Sequence, residues 1–342
     1  MNYLSVENLS KSYGPKVLFD NIVFGISQFQ KVALVAQNGV GKTTLLNILA
    51  GLDIPDSGEV VVRKQVTLSF LQQEPEFADG SSVIDVLFDD NNPVALAVKQ
   101  YEKAIIREDY DAIPDLSQAI DDLNGWNYES DAMVILSKLN LTDYNQQVST
   151  LSGGQKKRLA LARVLIQKPD LLIMDEPTNH LDINMVEWLE EWLKNSNLTL
   201  LLVTHDRYFL DRVCDEILEL DKGNIFKYKG NYSYYIEKKA EREMAQSSEI
   251  DKAKNLYRRE LEWVRRMPKA RGTKSKSRLD AFDEVKDKAL TRTNTDKLQL
   301  SVKMTRLGGK ILELINLKKS YGDKTILKPF SYVFKKGEKV GV

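Results

Sequence analysis

Cysteine is all but missing: Cys214 stands alone in 342 residues. No disulfide can form within the chain, and one thiolate is too few for a metal cluster, which suits a reducing compartment. Histidine is nearly as scarce, with only His180 and His205. Charge of one sign is not in excess, since 49 Lys and Arg balance 49 Asp and Glu, so the net charge by itself argues for no partner. Long apolar runs are absent as well. Leu198–Val203 is among the longest, and a membrane helix needs about 20 such residues. The start, Met1-Asn2-Tyr3-Leu4, lacks the basic residues and apolar stretch of a signal peptide. These absences lead us to expect a soluble, cytoplasmic protein with no membrane partner.

The first block, to about residue 236, alternates short apolar runs with helical patterns. Lys31–Ala36 reads as a buried strand, followed by a glycine loop and a helix through Leu45, Leu46 and Leu49. Leu171–Met174 and Leu200–Val203 read as two further buried strands, each ending at polar residues. Alternating strands and helices predict a mainly parallel α/β sheet, with ligands at the carboxyl ends of its strands. Residues from about 82 to 165 show helical patterning and predict a helical subdomain.

The second block, 237–306, carries 20 basic and 12 acidic residues. Ala253, Leu256, Tyr257, Leu261 and Val264 recur at helical spacing, as do Leu279, Phe282, Val285 and Ala289 beyond Pro268 and Gly272. Two narrow apolar stripes joined at a Pro/Gly tip predict an antiparallel helical hairpin. The third block, 307–342, is an internal repeat. Leu9-Ser-Lys-Ser-Tyr-Gly14 returns as Leu317-Lys-Lys-Ser-Tyr-Gly322, an offset of 308 that also pairs Leu4 with Leu312 and Lys16 with Lys324. The repeat stops before a second glycine loop, so we expect a fragment ending in the first strands of a second, truncated unit.

Ala36-Gln37-Asn38-Gly39-Val40-Gly41-Lys42-Thr43, with Thr44 behind it, resembles the Walker A phosphate loop, set between strand and helix as that motif requires. Glycines let backbone N–H groups crowd around phosphates at a helix N-terminus. Ala36 departs from the pattern, at ~1–2 kcal/mol if its φ must be positive and at no cost otherwise. A loop of this composition can also be a plain strand–helix turn. Leu151-Ser152-Gly153-Gly154-Gln155 is similar to the ABC signature, and Leu171–Glu176 to Walker B. His205 resembles the switch histidine and Asp182 the D-loop aspartate. Gln73 resembles the Q-loop glutamine, with Gln72 as its rival. Tyr13 resembles the aromatic that stacks on adenine.

On these motifs the chain is identified as a member of the ABC ATPases, which implies an α/β P-loop NTPase cassette with an antiparallel β subdomain and a helical subdomain. The resemblance implies that ATP and Mg²⁺ are bound. Tyr13, Asn38, Gly39, Val40, Gly41, Lys42, Thr43 and Thr44 would hold nucleotide. Thr43, Asp175 and Gln73 would serve the metal, and Glu176, His205 and Gln73 the chemistry. Two cassettes sandwich ATP head to tail in this family, so Leu151–Gln155 would serve a site in a second cassette or a second copy.

Asp175-Glu-Pro-Thr-Asn-His-Leu-Asp182 and the charged hairpin resemble the ABC-F family, soluble tandem cassettes, and the segment Glu262–Phe282 its Uup-type branch. That likeness implies a ribosome-associated factor whose α-helical hairpin linker contacts tRNA or rRNA. From Arg258 to Arg278 there are 9 basic and 2 acidic residues. Arg265, Arg266, Lys269, Arg271, Lys274, Lys276 and Arg278 would follow a phosphate backbone without reading sequence. DNA is a possible target too, and a transporter ATP-binding subunit is the rival reading. With one phosphate loop and one signature, the chain is expected to bind ATP and hydrolyse it weakly.

Overall fold

The computed structural model describes residues 1–78, 80–88, 93–106, 108–123, 125–265, 310–322, 324–335, 338 and 340. Its contacts divide the chain into two units, Met1–Gln246 and Ser247–Val342.

The first unit contains two sheets. Strands β1 (Asn2–Tyr13), β2 (Lys16–Ser27) and β4 (Ser57–Val62) form an antiparallel sheet in the order β2-β1-β4. The second sheet is built from β3 (Lys31–Ala36), β5 (Leu68–Leu71), β6 (Leu171–Asp175), β7 (Thr199–Val203), β8 (Glu216–Asp221) and β9 (Asn224–Lys229). Its order is β5-β6-β7-β3-β8-β9, parallel throughout except for β9. Every residue of β6 and β7 is buried, as expected for central parallel strands covered on both faces.

Strand alternation then divides the apolar residues between two cores. Leu172, Met174, Leu200 and Leu202 face one, beneath helices α5 (Tyr128–Lys138), α6 (Gly153–Ile166) and α7 (Ile183–Asn195). Leu171, Ile173, Leu201 and Val203 face the other, with Leu45, Leu46 and Leu49 of α1 (Lys42–Leu49) and the antiparallel sheet. Short helices α2 (Val83–Leu87), α3 (Pro93–Ile106) and α4 (Ile113–Asp122) precede α5, and α8 (Arg207–Val213) follows β7. Thus the expected strands 31–36, 171–174 and 200–203 all appear, and the stretch read as helical holds α2 to α6.

Helix α9 (Tyr232–Arg265) begins in the first unit. Its base is tied to the sheet through Glu219 of β8, whose side chain is 2 % exposed. Lys239 Nζ lies 2.6 Å from one carboxylate oxygen and Arg242 Nη1 2.9 Å from the other. The hydroxyls of Tyr235 and Tyr228 each donate to it at 3.1 Å. A buried carboxylate must be paired and hydrogen-bonded to stay charged; here the cations hold it below the ordinary glutamate range against the opposing effect of burial. Arg242 also lies over the Phe226 ring, 3.7 Å from its centroid.

In the second unit, β10 (Lys310–Tyr321) and β11 (Lys324–Lys335) form an antiparallel hairpin. The sequence repeat is also a structural one. Leu4↔Ile26 and Tyr13↔Lys16 in the first hairpin return as Leu312↔Phe334 and Tyr321↔Lys324 in the second. Asn8 and Asn316 both take left-handed conformations, at φ 48 and 50. The first arm of the anticipated helical hairpin falls within α9. Its tip and second arm, with Pro268, Gly272, Leu279, Phe282, Val285 and Ala289, lie outside the described residues.

Candidate active site

The site forms where β3, β6 and β7, neighbours in the sheet, end. Beyond β3 the chain turns through residues 37–41 into α1. Gly39 has φ 76 and Gly41, the N-cap of α1, φ 110. A Cβ on Gly41 would lie 3.0 Å from Leu18 Cβ, so both backbone and space require glycine there. Ala36 is different. It closes β3 and is not among the residues of positive φ, so the penalty considered for it does not arise. Its carbonyl is used: Lys42 Nζ donates to Ala36 O at 2.9 Å and to Asn38 Oδ1 at 3.3 Å. Burial lowers the Lys42 pKa, with Glu176 and Asp175 pulling the other way.

Strand β6 delivers the acids. Asp175 is 5 % exposed and accepts a hydrogen bond from Thr43 Oγ1 at 3.2 Å. Burial raises its pKa, opposed by Thr43 and Lys42. Glu176 follows with φ 52, its N–H bonded to Val203 O at 2.8 Å. A non-glycine residue in that region stores backbone strain, and the bond to β7 helps to hold it. Glu176 Oε2 accepts from the His205 backbone N–H at 3.2 Å, and Oε1 lies 3.5 Å from His205 Nε2. Oε1 is buried with no hydrogen-bond partner. Burial raises this carboxyl's pKa too, against the stabilising His205 backbone N–H.

Together these residues line a cleft of about 650 Å³. Tyr13, Asn38, Gly39, Gly41, Lys42, Thr43, Thr44, Gln73, Asp175, Glu176 and His205 all reach it. Gln72 does not; it lines a smaller neighbouring pocket that also holds Gln73, Asp175 and Glu176. Val40 is also absent from the lining; its side chain packs on the core around α1, which leaves only its backbone for a ligand. Lys16, Leu18 and Asn179 complete the wall and were not anticipated. For Lys16 a signal existed, because the repeat preserves it as Lys324.

The remaining candidates stand elsewhere. Ser152 and Gln155 form a reciprocal capping box at the start of α6, and Leu151 is buried. Gly154 runs beside His180, where a Cβ would be 3.5 Å from His180 Cβ. Gly153 opens α6 with nothing near its missing side chain. Asp182 caps α7, accepting from Met185 N–H at 3.0 Å. Arg265 ends α9, while Arg266, Lys269, Arg271, Lys274, Lys276 and Arg278 lie outside the described residues.

Residues 19–179 match a family described as ABC transporter, and residues 218–301 match a second family of the same description. The chain carries an ABC transporter ATP-binding domain with an extension. Domains of this kind bind ATP with Mg²⁺ and hydrolyse it. The uncharacterized ABC transporter ATP-binding protein YfmR of Bacillus subtilis is 40 % identical over 350 residues, a match covering 100 % of this chain and 56 % of YfmR. The energy-dependent translational throttle protein EttA of Mycobacterium tuberculosis is 35 % identical, covering 99 % of this chain and 62 % of EttA. The Escherichia coli EttA is likewise 35 % identical, with 95 % and 60 % covered. The chain therefore spans 56–62 % of the length of these relatives. A solved ATP-binding subunit of an ABC transporter superposes with a TM-score of 0.53 at 21 % identity, covering 66 % of this chain and 90 % of that one. The ATP-binding domain thus has the α/β cassette fold. Among the described residues no helix is long and apolar enough to cross a membrane.

Proposed function

We propose that this chain is the part of an ABC-F ATPase that holds a first cassette, to about residue 236, a basic linker, 237–306, and the beginning of a second cassette. Its function is ATP-driven action on the ribosome, with the linker on tRNA or rRNA. The observation that carries the ATPase part is Glu176 Oε1, buried without a hydrogen bond and 3.5 Å from His205 Nε2, in a cleft shared with Asp175, Thr43 and Lys42. A carboxylate desolvated in this way is suited to accept a proton from water.

The donor set fits Mg-ATP. Thr43 Oγ1 and Asp175 Oδ2 offer adjacent hard oxygen ligands, which suit Mg²⁺. Bound there, the metal would neutralise phosphate charge. The chain's own residues do the rest. Lys42 and the loop N–H groups hold phosphate, Tyr13 stacks on the base, Gln73 and His205 orient water and γ-phosphate, and Glu176 takes the proton. Leu151–Gln155 and Asp182 complete a site across a dimer of cassettes. A polypeptide of these 342 residues has one phosphate loop and one such signature, so it binds ATP but hydrolyses it weakly unless two copies pair.

The ribosomal role draws on the EttA relatives, named as translational throttles, and on the basic imbalance of Arg258–Arg278. It is tested by sedimenting ATP-loaded Glu176→Gln protein with ribosomes at moderate salt, where failure to co-sediment refutes it. Competition between tRNA and duplex DNA for the linker separates an RNA from a DNA target. A transporter subunit is the second reading, favoured by the family description; recovery of the protein in membranes with a permease would support it.

A further inference from the structure

Strands β1 and β2 are joined by the two-residue turn Gly14-Pro15, with Gly14 at φ 56 and Tyr13 paired with Lys16 across it. Glycine at the first position of such a turn supplies the positive φ that a tight hairpin needs. Both residues paired across the turn line the cleft. Lys16 Nζ donates to the Gly39 carbonyl at 2.7 Å. An ammonium carries three donors; Gly39 takes one, and two remain at the lip of the cleft.

Charge makes those donors matter. Among the lining residues Asp175 and Glu176 offset Lys42, and without Lys16 the walls would be net acidic. Such a cleft repels a polyanion, whereas a second ammonium makes the walls neutral. The repeat supplies an independent observation. Tyr321 pairs with Lys324 across a turn whose Gly322 also has φ 56. Around this conserved geometry the neighbours change, Pro15 to Asp323 and Val17 to Thr325, yet tyrosine, glycine and lysine are kept.

We propose that Lys16 is a phosphate-binding residue of the nucleotide site, its ammonium docked on the Gly39 carbonyl and its two free N–H groups turned onto the polyphosphate of a nucleoside di- or triphosphate. The hairpin tip then reads the nucleotide at two points, base by Tyr13 and phosphate chain by Lys16. This deepens the ATPase reading and rests on it.

The test measures binding of ATP, ADP and AMP to the 342-residue chain by competition against a fluorescent adenine nucleotide. Four proteins are compared: wild type, Lys16→Met, Lys16→Arg and Lys42→Ala. Loss of a charge-assisted contact at a solvent-facing site predicts roughly tenfold weaker ATP and ADP binding for Lys16→Met. AMP binding stays within twofold, and Lys16→Arg keeps most of the ATP affinity. Equal weakening of ATP and AMP would mean a displaced hairpin and overturn the proposal, as would ATP affinity unchanged in Lys16→Met. If wild type and Lys42→Ala bind ATP equally poorly, the nucleotide reading itself fails and Lys16 with it. Matched thermal unfolding of all four proteins excludes misfolding as the cause.

Discussion

Replacing Glu219 with glutamine tests whether the base of α9 is welded to the ATP-binding core. The carboxylate accepts four contacts at 2.6, 2.9, 3.1 and 3.1 Å, from Lys239, Arg242, Tyr228 and Tyr235. Glutamine keeps the shape, but one of its two polar ends is a donor facing donors. Lys239 and Arg242 would lose their counter-charge while only 24 % and 16 % exposed. Removing one member of a buried pair costs about 3–5 kcal/mol. Lys239 can swing partly to water and Arg242 keeps Asp221 at 3.2 Å, so the low end, about 3 kcal/mol, applies. For a unit of this size, 1 kcal/mol moves Tm by roughly 2–4 °C, which predicts a fall of roughly 6–12 °C by calorimetry at pH 7.5. The difference should depend on pH with a defined sign. The folded pKa of Glu219 lies below its unfolded value, so the stabilisation is complete above the unfolded value of about 4.3 and is lost as pH falls through the folded one. Wild type and Glu219→Gln should therefore converge as pH falls through the lowered folded pKa of Glu219. A Tm change under about 2 °C, or a gap that widens in acid, would refute the argument.

Other perturbations probe the site itself. Glu176→Gln should retain ATP binding while steady-state turnover falls by at least about 100-fold. Because burial raises the Glu176 pKa, its ionisation opposes folding at neutral pH, so Glu176→Gln should melt higher than wild type at pH 8, with the gain vanishing once the carboxyl is protonated in acid. Ala36→Gly should leave ATP affinity within about twofold and cost roughly 0.5–1 kcal/mol of stability, since the strand does not use the added freedom. Gly41→Ala should weaken ATP binding at least about tenfold, because positive φ and the Leu18 contact both oppose it. Turnover per molecule of the 342-residue chain should rise with protein concentration; a high, concentration-independent rate would remove the need for a second copy.

Much of the fold was legible because its signals are local. Lys31–Ala36, Leu171–Met174 and Leu200–Val203 are apolar runs bounded by polar residues, and buried parallel strands need little else. The hairpin repeat was legible for the same reason, since glycine and asparagine mark positive φ wherever they recur. Less visible was where a side chain goes once its backbone is placed. Val40 lies between two loop glycines in sequence, but its side chain turns to the core around α1. Gln72 and Gln73 are equivalent in pattern, and only the folded chain distinguishes them, with Gln73 lining the cleft and Gln72 not.

By itself the sequence determined the three buried strands 31–36, 171–174 and 200–203, the glycine loop, the acids at the end of β6 and the two-fold occurrence of the Tyr–Gly–x–Lys pattern. Each depends on residues within a few positions of one another. Tertiary structure decided the contacts that join distant parts of the chain: Thr43 to Asp175, Lys16 to Gly39, Glu176 to His205, and Glu219 to the base of α9. Their partners lie 16–132 residues apart or come from different elements. No local pattern encodes those distances. They follow from the order β6-β7-β3-β8, which sets the strand ends side by side and so creates both the cleft and the buried carboxylate that anchors α9.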